Sequence, residues 1–171
     1  MEKEKELPQR KRLRLQNFDY STTGAYFITV CTENRRNILS RIVGVDVLGD
    51  PKNVELLTYG KIADKYINQL NDFYDNITVD RYVIMPNHIH ILLFVSENGS
   101  PRTSTPTRQT SYVSHFVSTF KRFCNKEYGR SVWQRGFHDH IIRNREDYKE
   151  HLRYIYENPM HWYYDELYTE E

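Results

Sequence analysis

A chain of 171 residues can form one domain with a real core and is too short for two of ordinary size. Aromatic residues make up 14% of it, with 14 Tyr and 8 Phe, which excludes disorder throughout. The formal net charge of +1 excludes a strongly basic or acidic chain, so bulk charge by itself points to no nucleic acid.

Residues 1–16 are densely charged, and Arg10, Lys11, Arg12 and Arg14 form a basic cluster within them. Such a run reads as a solvated, flexible tail, with a phosphate-contacting arm as the alternative. Residues 17–165 are expected to form a single domain. Tyr26 to Thr32 is rich in aromatic and β-branched residues and predicts a strand. Between Ile38 and Leu57, Gly49-Asp50-Pro51 suggests a turn joining two short extended pieces. Thr58 to Phe73 carries Ile62, Ala63, Tyr66, Ile67 and Leu70 at helical spacing.

Ile77 to Met85 predicts a strand, Pro86-Asn87 a turn, and His88 to Val95 the next strand. Residues 96–110 are crowded with Ser, Thr, Pro and Gly and read as a flexible loop. Ser111 to Tyr128 is the clearest helix, with Val113, Phe116, Val117, Phe120, Phe123 and Cys124 on one stripe. Phe137 to Arg143 alternates like a strand. Asn144, with Asp147 three residues on, resembles an N-cap that opens a helix stopped by Pro159. Together the elements predict an α+β fold of the ferredoxin-like, split βαβ kind. Its antiparallel sheet of four to five strands would have helices packed on it.

Cys31 and Cys124 lie in apolar-periodic segments and read as buried thiols, which suits a reducing compartment. With no apolar run long enough to span a bilayer, a cytoplasmic, membrane-free protein is expected.

Chemistry concentrates in two segments. In Met85-Pro86-Asn87-His88-Ile89-His90, strand alternation points His88 and His90 the same way, while Ile89, Ile91 and Leu93 point the other. Imidazoles about 7 Å apart along a strand can reach one divalent cation. Spacing alone serves equally well for two structural, hydrogen-bonded histidines. In the second segment, Tyr148, Leu152 and Ile155 form the apolar stripe of the last helix. Tyr154 and Asn158 lie one turn apart on a neighbouring stripe with His151 and Asp147, and Tyr156 projects elsewhere. Asn158 offers an oxygen ligand, and Tyr154 a phenol able to attack a polarised phosphate. Among 14 tyrosines, helical spacing alone would leave Tyr154 an ordinary interfacial residue.

The combination of Met85-Pro86-Asn87-His88-Ile89-His90 with Trp133, Ile141-Ile142-Arg143 and Tyr154-Ile155-x-x-Asn158-Pro159 resembles the HUH single-tyrosine transposases. Within them it is most similar to the REP-associated tyrosine transposases, over most of the chain from about Gly24 to Pro159. The resemblance implies a metal-dependent nuclease and strand transferase acting on single-stranded DNA near hairpins through a 5′-phosphotyrosine intermediate. It implies His88, His90 and Asn158 as ligands of Mg²⁺ or Mn²⁺, and Tyr154 as nucleophile. Candidate DNA contacts are Arg12, Arg14, Lys121, Arg122, His140 and Arg143. A homodimer is possible, with the tyrosine helix supplied in cis or in trans. Two alternatives remain at this point: a non-cleaving, domesticated binder of hairpin DNA or RNA, and a zinc hydrolase using the histidines. A second pair, His138 and His140, reads as an edge position near the site, and His115 as structural. Trp133, Phe137 and Tyr112 read as core residues rather than base-stacking platforms.

Overall fold

A computed structural model describes residues 23–44, 53–96 and 111–170. The charged N-terminal stretch with Arg12 and Arg14, the Gly49-Asp50-Pro51 turn and the loop 97–110 lie outside them.

The described chain runs β1 (Gly24–Cys31), β2 (Ser40–Val43), β3 (Asn53–Leu56), α1 (Thr58–Phe73), β4 (Ile77–Ile84), β5 (His88–Val95), α2 (Tyr112–Tyr128), β6 (His138–Ile142) and α3 (Arg145–Glu157). The main sheet is wholly antiparallel in the order β4-β5-β1-β6, so the first and third of its strands in chain order pair at the centre. This is the ferredoxin-like arrangement, with three helices on a four-stranded sheet. The two short pieces after β1 do not extend it: β2 and β3 pair only with each other, as a separate ribbon.

Alternation along the central strands divides the molecule. Tyr26, Ile28 and Val30 of β1 join Ile89, Ile91 and Leu93 of β5 in the main core, which α1 and α2 close. The opposite face carries a smaller cluster of Phe27, Leu92 and Ile155, flanked by Tyr148 and Leu152. The apolar stripe of α3 therefore covers only part of that face, and the histidine end of β5 lies beside it. Asn144 caps α3 by accepting from the Asp147 backbone N–H at 2.9 Å. The tetrad Met85 to His88 closes the β4–β5 turn, with the Met85 N–H donating to the His88 carbonyl at 2.9 Å.

Register places the polar side chains of the second face in rows. Thr29 of β1 lies opposite His90 on one side and His138 on the other; Phe27 lies opposite Leu92 and His140. Directly opposed residues share a face, so both histidine pairs project on the α3 side with β1 between them.

The turn that launches β5 is braced from outside the sheet. The Leu39 N–H donates to the Pro86 carbonyl at 2.9 Å, and the Ser40 hydroxyl to the Ile84 carbonyl at 2.8 Å. This segment reaches the turn because Gly60 of α1 lets it pass: a Cβ there would lie 2.0 Å from the Leu39 carbonyl oxygen. A backbone carbonyl cannot swing aside as a side chain can. Gly60→Ala is therefore expected to destabilise the protein by about 1–3 kcal/mol or more, measured as a lower midpoint of chemical denaturation.

Candidate metal and phenol site

The imidazoles of His88 and His90 are almost completely buried, with 0% and 3% exposure. Burial, reinforced by the guanidinium of Arg35, holds the His88 pKa down to about 3. Burial and the neighbouring His88 likewise hold His90 well below the usual histidine range. Both rings are thus neutral at neutral pH and able to bind a cation.

Their tautomers follow from the neighbours. The Asn87 amide nitrogen donates to the Leu167 carbonyl at 2.8 Å and the Thr169 hydroxyl oxygen at 3.2 Å, which turns its Oδ1 toward His88. His88 Nδ1, 2.8 Å from that oxygen, is therefore the protonated nitrogen, and its Nε2 carries a lone pair. This Nε2 lies 2.9 Å from His90 Nε2. His90 Nδ1 is 2.8 Å from the Thr29 hydroxyl, which can donate or accept and so serves either tautomer. One arrangement is a single N–H···N bond between the rings. The other turns both Nε2 lone pairs to one point, at the separation of about 3 Å expected for adjacent ligands of an octahedral ion.

Helix α3 brings two more groups to the same place. The Tyr154 ring meets the His90 ring edge-on, with centroids 5.1 Å apart, and the Phe27 ring at 6.0 Å. Asn158 is 3% exposed, and its Oδ1 is buried with no hydrogen-bond partner. Its amide nitrogen donates to Asp165 Oδ2 at 2.7 Å, and the Tyr154 hydroxyl donates to the same oxygen at 3.2 Å. A buried amide oxygen left without a donor, on a residue that lines the same cleft as His90, fits a cation as its partner. His88, His90 and Asp165 each offer a ligand atom within 4.8 Å of the others. The Tyr154 phenol is pushed up to about 12, chiefly by burial and then by the Asp165 carboxylate. It is the neutral phenol at physiological pH. All of these groups come from one chain.

Three further residues of the site carry no signal in the sequence. Asp165 follows the last helix in a Tyr-rich stretch without periodicity, and Arg35 sits in the polar run Glu33 to Asn37, which reads as an ordinary loop. Thr29 is hidden inside a strand whose pattern speaks only of packing. The three line one cleft with His90, Tyr154 and Asn158, of about 820 Å³. Trp162, 5% exposed, covers the other side of His88 at a ring distance of 5.9 Å.

Of the remaining sequence candidates, His138 lines the cleft from the edge strand, opposite Thr29. The Lys121 ammonium donates to the Gln134 carbonyl at 2.8 Å and to the Gly136 carbonyl, and burial lowers its pKa to about 8. It fastens the loop that leads into β6. Arg122 packs its guanidinium over Phe123, and Arg143 is exposed beyond β6. None of the three lines the cleft. His140 Nε2 lies 3.0 Å from both Asp147 oxygens, and His151 Nδ1 lies 3.0 Å from one of them. The two rings are stacked, with centroids 4.5 Å apart and an 18° angle between planes. Nearly parallel rings cannot both aim in-plane lone pairs at one ion, so this trio is a hydrogen-bonded cluster. Trp133 and Phe137 are buried in the core, Tyr112 packs against it, and His115 Nδ1 pairs with the Tyr74 hydroxyl at 2.8 Å. Cys31 and Cys124 are buried, free thiols. Among the described residues, no helix is long and apolar enough to cross a membrane.

No family model matches the chain. An uncharacterized protein of Haemophilus influenzae is 28% identical over 94% of this chain and 94% of its own length. A putative REP-associated tyrosine transposase of the same organism is 27% identical, covering 87% of this chain and 77% of its own. The REP-associated tyrosine transposase of Escherichia coli is 26% identical over 82% of this chain and 69% of its own length. A solved REP-associated tyrosine transposase bound to a REP hairpin shares the fold, with a TM-score of 0.59 and 22% identity. That likeness covers 90% of this chain and 73% of the other.

The buried histidines set a pH dependence. Unfolded, each binds a proton below about 6.5; folded, His88 does so only near 3. The unfolded chain therefore holds more protons between these values, and stability falls as pH drops from about 6.5 toward 3. In metal-free buffer, denaturation midpoints should fall over this window, with a shallower slope in His88→Gln.

Proposed function

We propose that this chain, a relative of the REP-associated tyrosine transposases, is a single-strand DNA endonuclease and strand transferase that attacks with Tyr154. The observation that carries the reading is the meeting of three features in one place. These are two neutral imidazoles with Nε2 atoms 2.9 Å apart, an amide oxygen with no partner, and a phenol at ring contact. No ordinary structural role asks for all three.

His88, His90 and Asn158 would hold a divalent cation, Mg²⁺ or Mn²⁺. Imidazole nitrogen suits Mn²⁺ better, and an amide oxygen accepts either. The chemistry such an ion supplies is polarisation of a phosphodiester at its non-bridging oxygens. The protein's own groups do the rest. Helix α3 sets the Tyr154 oxygen beside that position, and Asp165 accepts the phenolic hydrogen bond. Attack forms the Tyr154–phosphate bond and breaks the bond to the 3′ oxygen, which departs with a proton as a free 3′-hydroxyl. The 5′-phosphotyrosine keeps the energy of the broken phosphodiester, so reversal by another 3′-hydroxyl rejoins strands without an outside energy source. Thr29 adapts to the His90 tautomer that cation binding requires. Phe27 and Trp162 shut water away from the imidazoles. A hairpin as the substrate feature is supported by the solved relative with its bound REP hairpin. Residues 17–165 would form the catalytic domain, with Leu167 and Thr169 just beyond it bracing Asn87.

Labelled, hairpin-tailed single-stranded DNA incubated with the full chain and Mn²⁺ should yield a covalent protein–DNA adduct on a denaturing gel. Tyr154→Phe should abolish the adduct while leaving hairpin binding within about threefold, and His88→Ala should lower it by at least about 100-fold. Binding without any adduct in the wild type would instead indicate a non-cleaving binder, and turnover surviving Tyr154→Phe a hydrolase. Loss of the group that supports a ligand should also register: Thr29→Val is expected to weaken Mn²⁺ binding about 10–100-fold, measured by calorimetric titration.

A further inference from the structure

The cleft beside Tyr154 is poor in positive charge for one that receives a phosphodiester. Glu150, Glu157, Asp165 and Glu166 line it, and among the described residues Arg35 is the one Lys or Arg that does. An anionic strand entering there meets repulsion except where a cation or this guanidinium opposes it.

The backbone under Arg35 is unusual. Asn34 and Arg35 adopt left-handed conformations with φ of 57° and 51°. Asparagine tolerates that region, whereas a long L side chain such as arginine gains nothing from it. Strain of this kind persists where surrounding contacts over-determine it, and it clusters at functional sites. Here the contacts are plain. The Arg35 N–H donates to the Thr32 carbonyl at 3.1 Å, and its own carbonyl accepts from the Thr169 hydroxyl at 3.1 Å. The twist aims the side chain over the cleft, close enough for its charge to act on the buried His88.

The guanidinium is largely uncommitted. One Nη1 hydrogen goes to the Glu166 carbonyl at 3.2 Å, and among the described residues no carboxylate forms an ion pair with it. Among the described residues, four of its five donors are left for another acceptor. A planar fork of N–H donors matches two oxygens of one phosphate.

We infer that Arg35 is the residue that grips the scissile phosphate, through charge-assisted hydrogen bonds to its non-bridging oxygens. The inference rests on the phosphotyrosine reading above and adds to it a residue that no sequence motif carries. In that role the guanidinium opposes the charge that gathers on those oxygens as the Tyr154 bond forms and the 3′ bond breaks. It also makes the strain intelligible: the left-handed turn is kept because it delivers this side chain.

The test uses the full chain with Mn²⁺ and hairpin-tailed single-stranded DNA, and it compares Arg35→Gly, Arg35→Gln and Arg35→Lys. Glycine removes the side chain and relieves the backbone at once. Arg35→Gly should therefore lower the single-turnover adduct rate about 100-fold while the thermal midpoint stays level or rises. Arg35→Lys, with the charge but not the fork, should recover part of that rate. In the Tyr154→Phe background, Arg35→Gln should reduce the slope of log affinity against log salt by about one phosphate contact. Adduct rates within threefold of wild type in Arg35→Gly and Arg35→Gln overturn the assignment. So does a rate loss in Arg35→Gly matched by a fallen thermal midpoint, which marks a structural role. A wild type that forms no adduct sinks the nuclease reading itself, and the binding arm then decides Arg35 alone: an unchanged salt slope overturns it.

Discussion

Everything in the site follows from the cost of sinking two imidazoles into an apolar sheet. A buried, unpaired ring nitrogen loses its water and gains nothing in return. The chain meets that cost with directed partners: Asn87 Oδ1 for one ring, the Thr29 hydroxyl for the other, and each ring for its neighbour. Because the outer nitrogens are held, the inner ones have only one direction to face. The strand geometry supplies the rest, since residues two apart on β5 share a side and β1 brings Thr29 into register with His90.

The second face of the sheet is therefore divided by chemistry. Toward Ala25, Leu92 and Phe94 it is an ordinary helix-packing surface, and α3 seats Leu152 and Ile155 on it. Toward His88 and His90 the neighbours are Tyr154 and, from the segment after α3, Trp162. One helix both packs and serves, and the switch occurs within a turn: Ile155 is buried while Tyr154 beside it is 43% exposed. A phenol half in water and half against Phe27 and His90 is placed to meet a strand arriving from solvent.

Much of this was legible beforehand, for identifiable reasons. The bounds of α1 and the N-cap of α3 follow from helical periodicity and from Asn144, signals that lie wholly within short windows. The shared direction of His88 and His90 follows from alternation, and the fold class follows from element order. What stayed hidden depends on contacts between distant segments. Nothing local says that β2 and β3 leave the main sheet, that His138 lies opposite Thr29, or that the Lys121 ammonium is spent on two carbonyls. Asp165 and Arg35 were invisible for the same reason: a carboxylate in a tyrosine-rich stretch and an arginine in a polar loop look like solvated surface until the chain is folded.

The segment beyond α3 is tied back to distant parts of the chain. Asn87 reaches Leu167 across 80 positions, and Arg35 reaches Glu166 across 131. Neither bond contributes to the sheet or to its principal core. Hydrogen exchange should accordingly divide the molecule into two cooperative units, a slow one comprising the strands with α1 and α2, and a faster one comprising residues 162–169. The imidazole pair sits on the boundary, its rings rooted in the slow unit and its asparagine brace tied to the fast one. How often the site is whole is thus a question of local opening, answered separately from how stable the fold is.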